Sequence, residues 1–285
     1  MRAGFPLLSS VLAAVVAVAA GVWPALRVTA FDGLSGAKME KETASPFAGK
    51  TWPKAAPGSF TPAPAATDGL ATVVTRIQTQ EKVVFLTIDD GYEYDADFVK
   101  MVRDQGVPIM TFLTTVYVPQ HGPYFWSLQH AGSAMENHTV NHKDLKSLGP
   151  EGQKTEICGA SDTIEKVYGR RPTTFRPPFG SYNDITRRVV GECGMKSVIL
   201  WSAEFCNGAT VCSPNRKENE FVRGDGGTGF KPGDIILMHY RKGLAQQFGM
   251  LLDWIKQAGY RPAALQEYLP VRLGGNAPDA QPAKP

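Results

Sequence analysis

Between residues 83 and 264, short apolar runs alternate with amphipathic stretches, and this alternation restricts the fold more than any other feature of the sequence. The runs VVFLTI (83–88) and DIILMH (234–239) are nearly continuous in apolar residues, as in strands that are buried on both faces. The stretches 95–105 and 150–168 carry apolar residues at helical spacing. Strands and helices in alternation predict a parallel sheet covered by helices, and either a barrel or a doubly wound open sheet satisfies this pattern.

The remaining predicted elements are shorter. We predict further strands at 107–116, 134–136, 173–175, 196–201 and 261–264. We predict further helices at 125–131, 183–193 and 243–257. Gly169 is expected to end the helix at 150–168, and the polar stretch 206–233 is predicted to be an irregular loop.

The two ends of the chain lack this alternation. Arg2 is followed by an uncharged apolar stretch, residues 5–26, with small residues at 17–19, which is typical of a secretory signal peptide. The same stretch is long enough to span a bilayer, so an uncleaved anchor is the alternative. The composition of the flanking segments, rich in Pro and Ala, indicates little to bury. The predicted organisation is a signal peptide or anchor (1–30), a flexible linker (31–68), one folded domain (69–273) and a disordered tail (274–285).

Charge and cysteine content restrict the partners and the compartment. The formal net charge of +3 is too weak to indicate a nucleic-acid partner. Outside the cell, an even number of cysteines favours disulfides, and a bond between Cys206 and Cys212 would close a short loop. The sequence leaves the pairing of these two with Cys158 and Cys193 open. No Cys-x-x-Cys pair is present, so a cysteine-based zinc site is not expected.

Reactive side chains directly follow the predicted strands. Because the carboxyl ends of the strands meet at one end of a barrel, we expect these side chains to converge in one cleft. They are Asp89, Asp90, His138, Arg176 and His239. This expectation favours a functional role for the TIDDG segment over the alternative of an ordinary Asp-Gly turn.

The segment HTVNH supplies two imidazoles. His138 and His142 are four residues apart, which on a helical turn places both on one face. Two imidazoles and one carboxylate from another strand end form a three-ligand set that leaves a coordination position for water, as in catalytic zinc sites. One of the tandem aspartates can then bind the ion while its neighbour stays free as a base. A bound divalent ion would polarise a carbonyl and supply a water of lowered pKa.

Two further segments complete the constellation. In FRPPFGSYND (175–184), Arg176 is suited to orient a carboxylate, and a backbone N–H after the prolines is suited to stabilise an oxyanion. The alternative for this segment is a rigid turn with an exposed arginine. In GDIILMHY, His239 ends an apolar strand and is suited to protonate a leaving group, the alternative being a buried structural histidine.

Taken in order, TIDDG, HTVNH, RPPFG and LMH resemble the motifs of the polysaccharide deacetylases of carbohydrate esterase family 4, the NodB-homology domain. The resemblance covers about residues 80 to 270, which is nearly the whole predicted domain. It implies an α/β fold, a distorted (β/α) barrel with a single catalytic domain. It also implies metal-dependent removal of N-acetyl groups from glycans.

The resemblance assigns a role to each motif residue. Asp89 would be the catalytic base, Arg176 would hold that base, the N–H of Phe179 would join the oxyanion hole, and His239 would be the acid. The ligands of Zn²⁺, or of another divalent cation such as Co²⁺ or Ni²⁺, would be Asp90, His138 and His142. The residues expected to contact substrate are Tyr92, Pro178 and Trp201, although Tyr92 stands where the family usually has proline and has simple packing as its alternative.

One motif of the family is altered. The sequence D-x-x-D-W should follow the strand that ends at Trp201, but the chain reads WSAEFCNG. Glu204 can occupy the place of the first aspartate, the residue that tunes the acid histidine in the family. The resemblance implies that Glu204 tunes His239, although no second Asp and no Trp follow Glu204 as they do in the family motif.

The function expected from these motifs is removal of N-acetyl groups from an acetylated amino-sugar polymer, either peptidoglycan or a chitin-type glycan. We expect a monomer that is secreted or displayed at the cell surface, with a membrane tether if residues 1–30 are retained. Three alternatives stay open: an O-acetyl xylan esterase, a catalytically weakened glycan-binding module, and a metal-dependent peptidase or amidase. The last is the least favoured because no HExxH helix is present.

Overall fold

The computed structural model of the chain describes residues 60–61, 70–206, 217 and 219–269. The strands within these residues are β1 Phe60–Thr61, β2 Thr72–Val74, β3 Gln78–Thr79, β4 Val83–Asp90, β5 Ile109–Leu113, β6 Ala134–Asn137, β7 Thr174–Phe175, β8 Ser197–Ile199, β9 Ala203–Cys206, β10 Glu220–Arg223, β11 Asp234–His239 and β12 Arg261–Pro262. The α-helices are α1 Ala96–Gln105, α2 Val118–His130, α3 Pro150–Tyr168, α4 Asp184–Glu192 and α5 Leu244–Gln257. Single-turn helices occupy Thr115–Tyr117, Leu145–Ser147, Pro178–Gly180 and Leu265–Glu267.

One sheet organises the domain. Its strand order is β10-β9-β11-β4-β5-β6-β7-β8-β2, with β12 also paired to β4. The pairs are parallel except for β9 with β10. Strand β11 pairs with residues 84–89 of β4 on one edge, whereas β12 and β5 share the other edge, opposite residues 83–84 and 86–90. The result is a curled, mostly parallel half-barrel covered by helices, as the alternation of elements predicts.

Strand β4 is apolar from Val83 to Ile88, apart from Thr87, because both of its faces are covered. Val84, Leu86 and Ile88 belong to a core cluster that includes side chains of α1, α2 and α5. The alternate residues Val83 and Phe85 belong to a second cluster, which lies against β5 and the single-turn helix at Leu265–Glu267. Successive side chains of a strand point to opposite faces, so a strand between two cores needs apolar residues at every position.

The observed elements differ from the predicted ones in several places. Helix α3 and strand β11 have the predicted bounds. Helix α2, in contrast, begins at Val118 rather than at residue 125 and contains Pro123. Because proline usually breaks a helix, Pro123 argues against helix at that position, and the predicted helix begins only after it. The predicted loop at 206–233 contains strand β10, whose antiparallel pairing with β9 is not signalled by the local sequence. Three more strands lie outside the prediction: β2, which pairs with β8, and also β3 and β9.

The connections at the margins of the domain add one correction and one covalent bond. Phe60 and Thr61 lie in the predicted flexible linker, yet they form β1 and pair with β3. A disulfide joins Cys158 on α3 to Cys193, the residue that follows α4. Cys212, the expected partner of Cys206, lies outside the described residues, as do the predicted signal or anchor segment and the predicted tail. No helix among the described residues is both long and apolar enough to cross a membrane.

Gly91 allows β4 to end next to the site. Its φ of 95° lies in the region that favours glycine, and a Cβ there would lie 2.6 Å from Leu113 Cδ1 and 2.8 Å from Phe125 Cζ. Both of these side chains are fully buried and therefore cannot move aside. Gly91 thus fixes the position at which the two preceding aspartates leave the sheet.

We expect Gly91→Ala to lower the free energy of unfolding by more than a left-handed backbone alone explains. Gly132→Ala is the matched control, because its φ is 101° and no atom of the described residues lies within 4 Å of its Cβ position. The control should lose about 1–2 kcal/mol from backbone strain, and Gly91→Ala a further ~1–3 kcal/mol from overpacking. Denaturant unfolding measures both. Equal losses for the two variants would contradict the steric role of Leu113 and Phe125.

Candidate metal centre

The tandem aspartates at the end of β4 both face one cleft. Consecutive side chains in an extended strand point to opposite faces, but Asp90 has a φ of 80°, which turns its side chain out of that alternation. Asp89 Oδ2 consequently lies 3.7 Å from His138 Nε2, and Asp90 Oδ1 lies 3.6 Å from the same nitrogen. The change in backbone conformation explains how two adjacent acids can serve one site.

The HTVNH segment is a loop, and the predicted helical turn is wrong. Thr139 and His142 have φ values of 70° and 56°, which no helical turn contains. Asn137 Oδ1 accepts a hydrogen bond from the Thr139 N–H (2.9 Å), and Thr139 Oγ1 accepts one from the His142 N–H (3.0 Å). The two left-handed residues fold the loop so that the imidazole ring centroids are 5.0 Å apart. Both rings reach the same point without a helix.

Glu156 holds the middle of this loop from helix α3. Its Oε2 accepts hydrogen bonds from the backbone N–H groups of Val140 (3.1 Å) and Asn141 (2.8 Å), and its Oε1 accepts one from Asn141 Nδ2 (2.9 Å). Lys143 Nζ lies 3.5 Å from the same carboxylate. The Glu156 residue is only 3% exposed, and these partners satisfy both of its buried carboxylate oxygens. A buried carboxylate therefore fixes Val140 and Asn141, two of the three residues between His138 and His142.

The tautomer of His138 is set by the main chain of Arg176. A carbonyl oxygen can only accept, so the 2.7 Å contact between His138 Nδ1 and Arg176 O places the proton on Nδ1. The Nε2 lone pair is thereby directed toward Asp90. Burial lowers the pKa of His138 to about 3, which keeps the ring neutral and able to act as a ligand.

Asp90, His138 and His142 fit a divalent cation. Their candidate ligand atoms all lie within 4.8 Å of one another, and Asp90 Oδ1 is 3.3 Å from His142 Nε2. Asp90 Oδ1 is buried and accepts no hydrogen bond from a described residue. An unpartnered carboxylate oxygen facing an imidazole lone pair is unfavourable unless a cation lies between them. Two nitrogens and one oxygen form a donor set that Zn²⁺ commonly takes in catalytic sites.

Arg176 holds Asp89 from inside the sheet. The guanidinium is fully buried, and its Nη1 donates to Asp89 Oδ1 (2.7 Å) and to Thr87 Oγ1 (2.8 Å). Its Nε and Nη2 donate to the carbonyl oxygens of residues 199 and 200, both at 3.1 Å. Burial raises the pKa of Asp89, and the charges of Arg176 and His239 oppose that increase. Asp89 is therefore a carboxylate that Arg176 fixes in position and that is more basic than an ordinary surface aspartate.

His239 faces the same cleft from the adjacent strand. It is in register with Asp89 in the parallel pair of β11 and β4. Burial lowers its pKa, while the charges of Asp90 and Asp89 raise it and those of His138 and Arg241 lower it. Glu204 lies on β9 opposite Leu237, two positions before His239. Its proposed tuning of His239 stays a prediction.

The RPPFG turn borders the cleft on the side of His142. Phe179 has a φ of 60° and is 69% exposed, with its ring centroid 4.7 Å from that of His142. Pro178 is buried, so it shapes the turn from beneath, and its expected contact with substrate stays a prediction. Trp201 packs on this turn and on Arg176: a Cβ on Gly180 would lie 3.1 Å from its ring, and Arg176 Cζ is 5.7 Å from the ring centroid.

Tyr92 forms the opposite rim. Tyr92 is 53% exposed, and its ring packs edge-on against that of Tyr117, with the ring centroids 5.8 Å apart. The guanidinium of Arg241 lies over the same ring at 5.3 Å. Tyr92 therefore packs against neighbours and also offers exposed surface, so both of its sequence-based interpretations fit its position.

The structure thus brings the predicted reactive residues together and adds one that the sequence analysis missed. Those that converge are Asp89, Asp90, His138, His142, Arg176 and His239. Glu156 was missed because it belongs to a helix with no motif. Its signal was a charged residue immediately before Ile157, on the buried face of α3.

The half-barrel and the site at its strand ends are those expected of a polysaccharide deacetylase. Comparisons with known proteins point to the same family. A sequence model of the family described as polysaccharide deacetylase matches residues 76–198. An uncharacterised protein of Streptomyces coelicolor is 36% identical over 206 residues, which cover 70% of this chain and 78% of that protein. The peptidoglycan-N-acetylglucosamine deacetylase of Bacillus cereus is 26% identical over 209 residues, which cover 69% of this chain and 92% of that enzyme.

A solved structure supports the fold. A mutant, with restored enzymatic activity, of a carbohydrate esterase family 4 pseudoenzyme from Bacillus anthracis has a TM-score of 0.58 at 21% identity, covering 70% of this chain and 72% of that chain. This likeness confirms the distorted barrel. The chain belongs to the polysaccharide deacetylase family and is an enzyme of that class.

We expect His138→Ala to abolish retention of a divalent cation, because it removes the buried nitrogen that faces Asp90. The affinity for Zn²⁺ or Co²⁺ should fall by more than the roughly 10- to 100-fold that loss of an outer partner causes. Metal content after gel filtration and titration with Co²⁺ measure the effect. His130→Ala is the control, because His130 is exposed and stacks on Trp126 away from the cluster. A normal metal content in His138→Ala would refute the ligand set.

Glu156→Ala should weaken metal binding although Glu156 touches no ion. Loss of its hydrogen bonds frees the loop between the two histidines, so we expect a roughly 10- to 100-fold lower affinity for Co²⁺. Glu156→Gln should retain most of the affinity, since its amide oxygen can still accept from both backbone N–H groups. Glu151→Ala, an exposed change on the same helix, is the control. Equal affinities for the wild type and Glu156→Ala would remove the positioning role.

Proposed function

We propose that this enzyme removes N-acetyl groups from an acetylated amino-sugar polymer, with peptidoglycan as the first candidate, and that it depends on a divalent metal. The observation that carries the proposal is the convergence of Asp90, His138 and His142 beside an aspartate that a buried arginine holds. Named relatives include deacetylases of peptidoglycan N-acetylglucosamine and of N-acetylmuramic acid, at 26% and 23% identity. A chitin-type glycan is the neutral alternative within the same reaction.

The roles of the residues follow from their positions. When bound, a divalent ion at Asp90, His138 and His142 supplies Lewis acidity toward a carbonyl and lowers the pKa of water. Asp89 takes the proton of the attacking water, because Arg176 fixes its Oδ1 and leaves Oδ2 directed into the cleft. His239, on the adjacent strand, is proposed to give a proton to the departing amine, which its register with Asp89 supports. The N–H of Phe179 is proposed to donate to the oxygen of the acetyl carbonyl.

Zinc is the proposed ion, with Co²⁺ or Ni²⁺ as substitutes. The support is the donor set, since two imidazoles and one carboxylate match catalytic zinc sites. His138 is neutral through burial, so it does not have to lose a proton when it binds the ion.

We also propose that the enzyme acts outside the cytoplasm, either secreted or at the cell surface. The apolar, uncharged stretch at residues 5–26 supports export. The disulfide between Cys158 and Cys193 supports an oxidising compartment. Cell fractionation with an antibody to the domain would test this placement, and recovery of the protein in the cytoplasmic fraction would contradict it.

We expect the purified protein to release acetate from N-acetylated glycan, to lose this activity after chelation and to regain it with Zn²⁺, Co²⁺ or Ni²⁺. Asp89→Asn should retain the metal and lose at least ~100-fold in turnover, the usual scale of a general base. Acetate assays on peptidoglycan fragments, chitin oligosaccharides and acetylated xylan measure both effects.

The matched control for Asp89→Asn is Asp97→Asn, an exposed aspartate in the first turn of α1. Its turnover should equal that of the wild type. Glycan binding without any acetate release, with metal bound, would contradict the proposed reaction and leave a binding role. Acetate release from xylan alone would replace the amide with an ester as the bond that is cleaved.

A further inference from the structure

Arg241 is a charged residue of the cleft rim that the proposed reaction does not use. It follows His239 and Tyr240 at the end of β11, and the Tyr240 N–H donates to Asp89 O (3.1 Å), which ties this segment to the end of β4. Arg241 Cζ lies 5.3 Å from the centroid of the Tyr92 ring. The side chain is therefore held beside the catalytic groups by its strand and by an aromatic ring.

The donors of Arg241 are largely unused. Its Nε is buried and has no hydrogen-bond partner among the described residues, and its Nη1 makes only a 3.4 Å contact with Tyr240 O. No described carboxylate forms an ion pair with it. The nearby acid Glu93 accepts instead from the Lys242 backbone N–H (3.3 Å). A guanidinium can bind a carboxylate in bidentate fashion, and the Nη groups of Arg241 form no ion pair with a described residue.

The location of Arg241 relates it to substrate. Burial lowers the pKa of His239, and the positive charge of Arg241 lowers it further. Burial, Asp90 and Tyr92 raise the pKa of Tyr117, and Arg241 opposes that increase. Tyr92 and Tyr117 present a partly exposed aromatic rim next to this charge. A glycan bound with its acetamide at the Asp89 side would pass this rim. Aromatic surface beside a cation suits a sugar that carries an acidic substituent.

We propose that Arg241, held on Tyr92, binds a carboxylate that the glycan carries close to the acetamide that is hydrolysed. The inference rests on the proposed function and narrows its substrate: a carboxylate-bearing amino-sugar polymer is favoured over a neutral one such as a chitin-type glycan. Peptidoglycan sugars that bear a lactyl carboxylate belong to this chemical class.

The test compares substrates that differ in one charge. A peptide-free oligosaccharide containing N-acetylmuramic acid is assayed for acetate release beside its methyl ester and beside a neutral N-acetylchito-oligosaccharide. The wild type should have a kcat/KM for the acid roughly 10- to 100-fold above that for the ester, the equivalent of one hydrogen bond to a charged group.

Three variants assign this preference to Arg241. Arg241→Gln should abolish the preference for the acid, so that the ratio of kcat/KM for the acid to kcat/KM for the ester falls to about 1. Arg241→Lys should retain part of the preference, because it keeps the positive charge but loses the paired N–H groups that bind a carboxylate in bidentate fashion. Lys242→Gln removes a neighbouring exposed charge and should change nothing. Metal content and melting temperature confirm that each variant is folded.

Several outcomes would overturn the inference. Equal kcat/KM for acid and ester in the wild type would do so, and so would an equal loss on all three substrates in Arg241→Gln, which would indicate a role in holding His239. Absence of acetate release from every substrate would instead contradict the proposed function. In that case the affinities of the wild type and Arg241→Gln for the acid and its ester, measured by calorimetry, still decide whether Arg241 binds the carboxylate.

Discussion

The geometry of the site depends on the buried ion pair between Arg176 and Asp89. The guanidinium donates to Asp89 and Thr87 on β4 and to the carbonyl oxygens of residues 199 and 200 beside β8, so it ties together strands that lie on different parts of the sheet. The main-chain oxygen of the same residue accepts from His138 Nδ1. One residue thus orients the proposed base through its side chain and a proposed ligand through its main chain. A buried charge cannot move without losing its partners, which fixes both orientations together.

The position of the site could be predicted because it depends on strand ends, which local sequence marks well. Strand β4 is apolar at every position before Asp89 except Thr87, and β11 is apolar from Ile235 to Met238, so both ends are visible as an abrupt change to polar residues. Parallel pairing then brings the ends together whatever the length of chain between them. The left-handed conformation of Asp90 is not visible in the same way, although Gly91 after it is consistent with a change in chain direction.

Features that arise from contacts distant in the sequence could not be predicted. The spacing of His138 and His142 is equally compatible with a helical turn and with a folded loop, and the loop forms because Glu156 on α3 and Asn137 on β6 bind its backbone N–H groups. Strand β10 likewise exists through its pairing with β9. Glu156 is 15 residues from Asn141, and β9 and β10 are separated by a long connection, so both of these partners lie beyond the reach of local periodicity.

Two adjacent carboxylates repel each other, and the distribution of positive charge around them explains how the cleft tolerates both. Arg176 neutralises Asp89, which leaves Asp90 facing two imidazoles. Protonation of His138 does not neutralise Asp90 at neutral pH, because burial lowers the pKa of that ring to about 3. A divalent cation would neutralise Asp90 and leave an excess of positive charge, and Arg241 adds to the same sign at the rim. Such a field stabilises negative charge that develops on a carbonyl oxygen and attracts acidic groups on the glycan. The electrostatic asymmetry that supports hydrolysis would therefore also favour an acidic substrate.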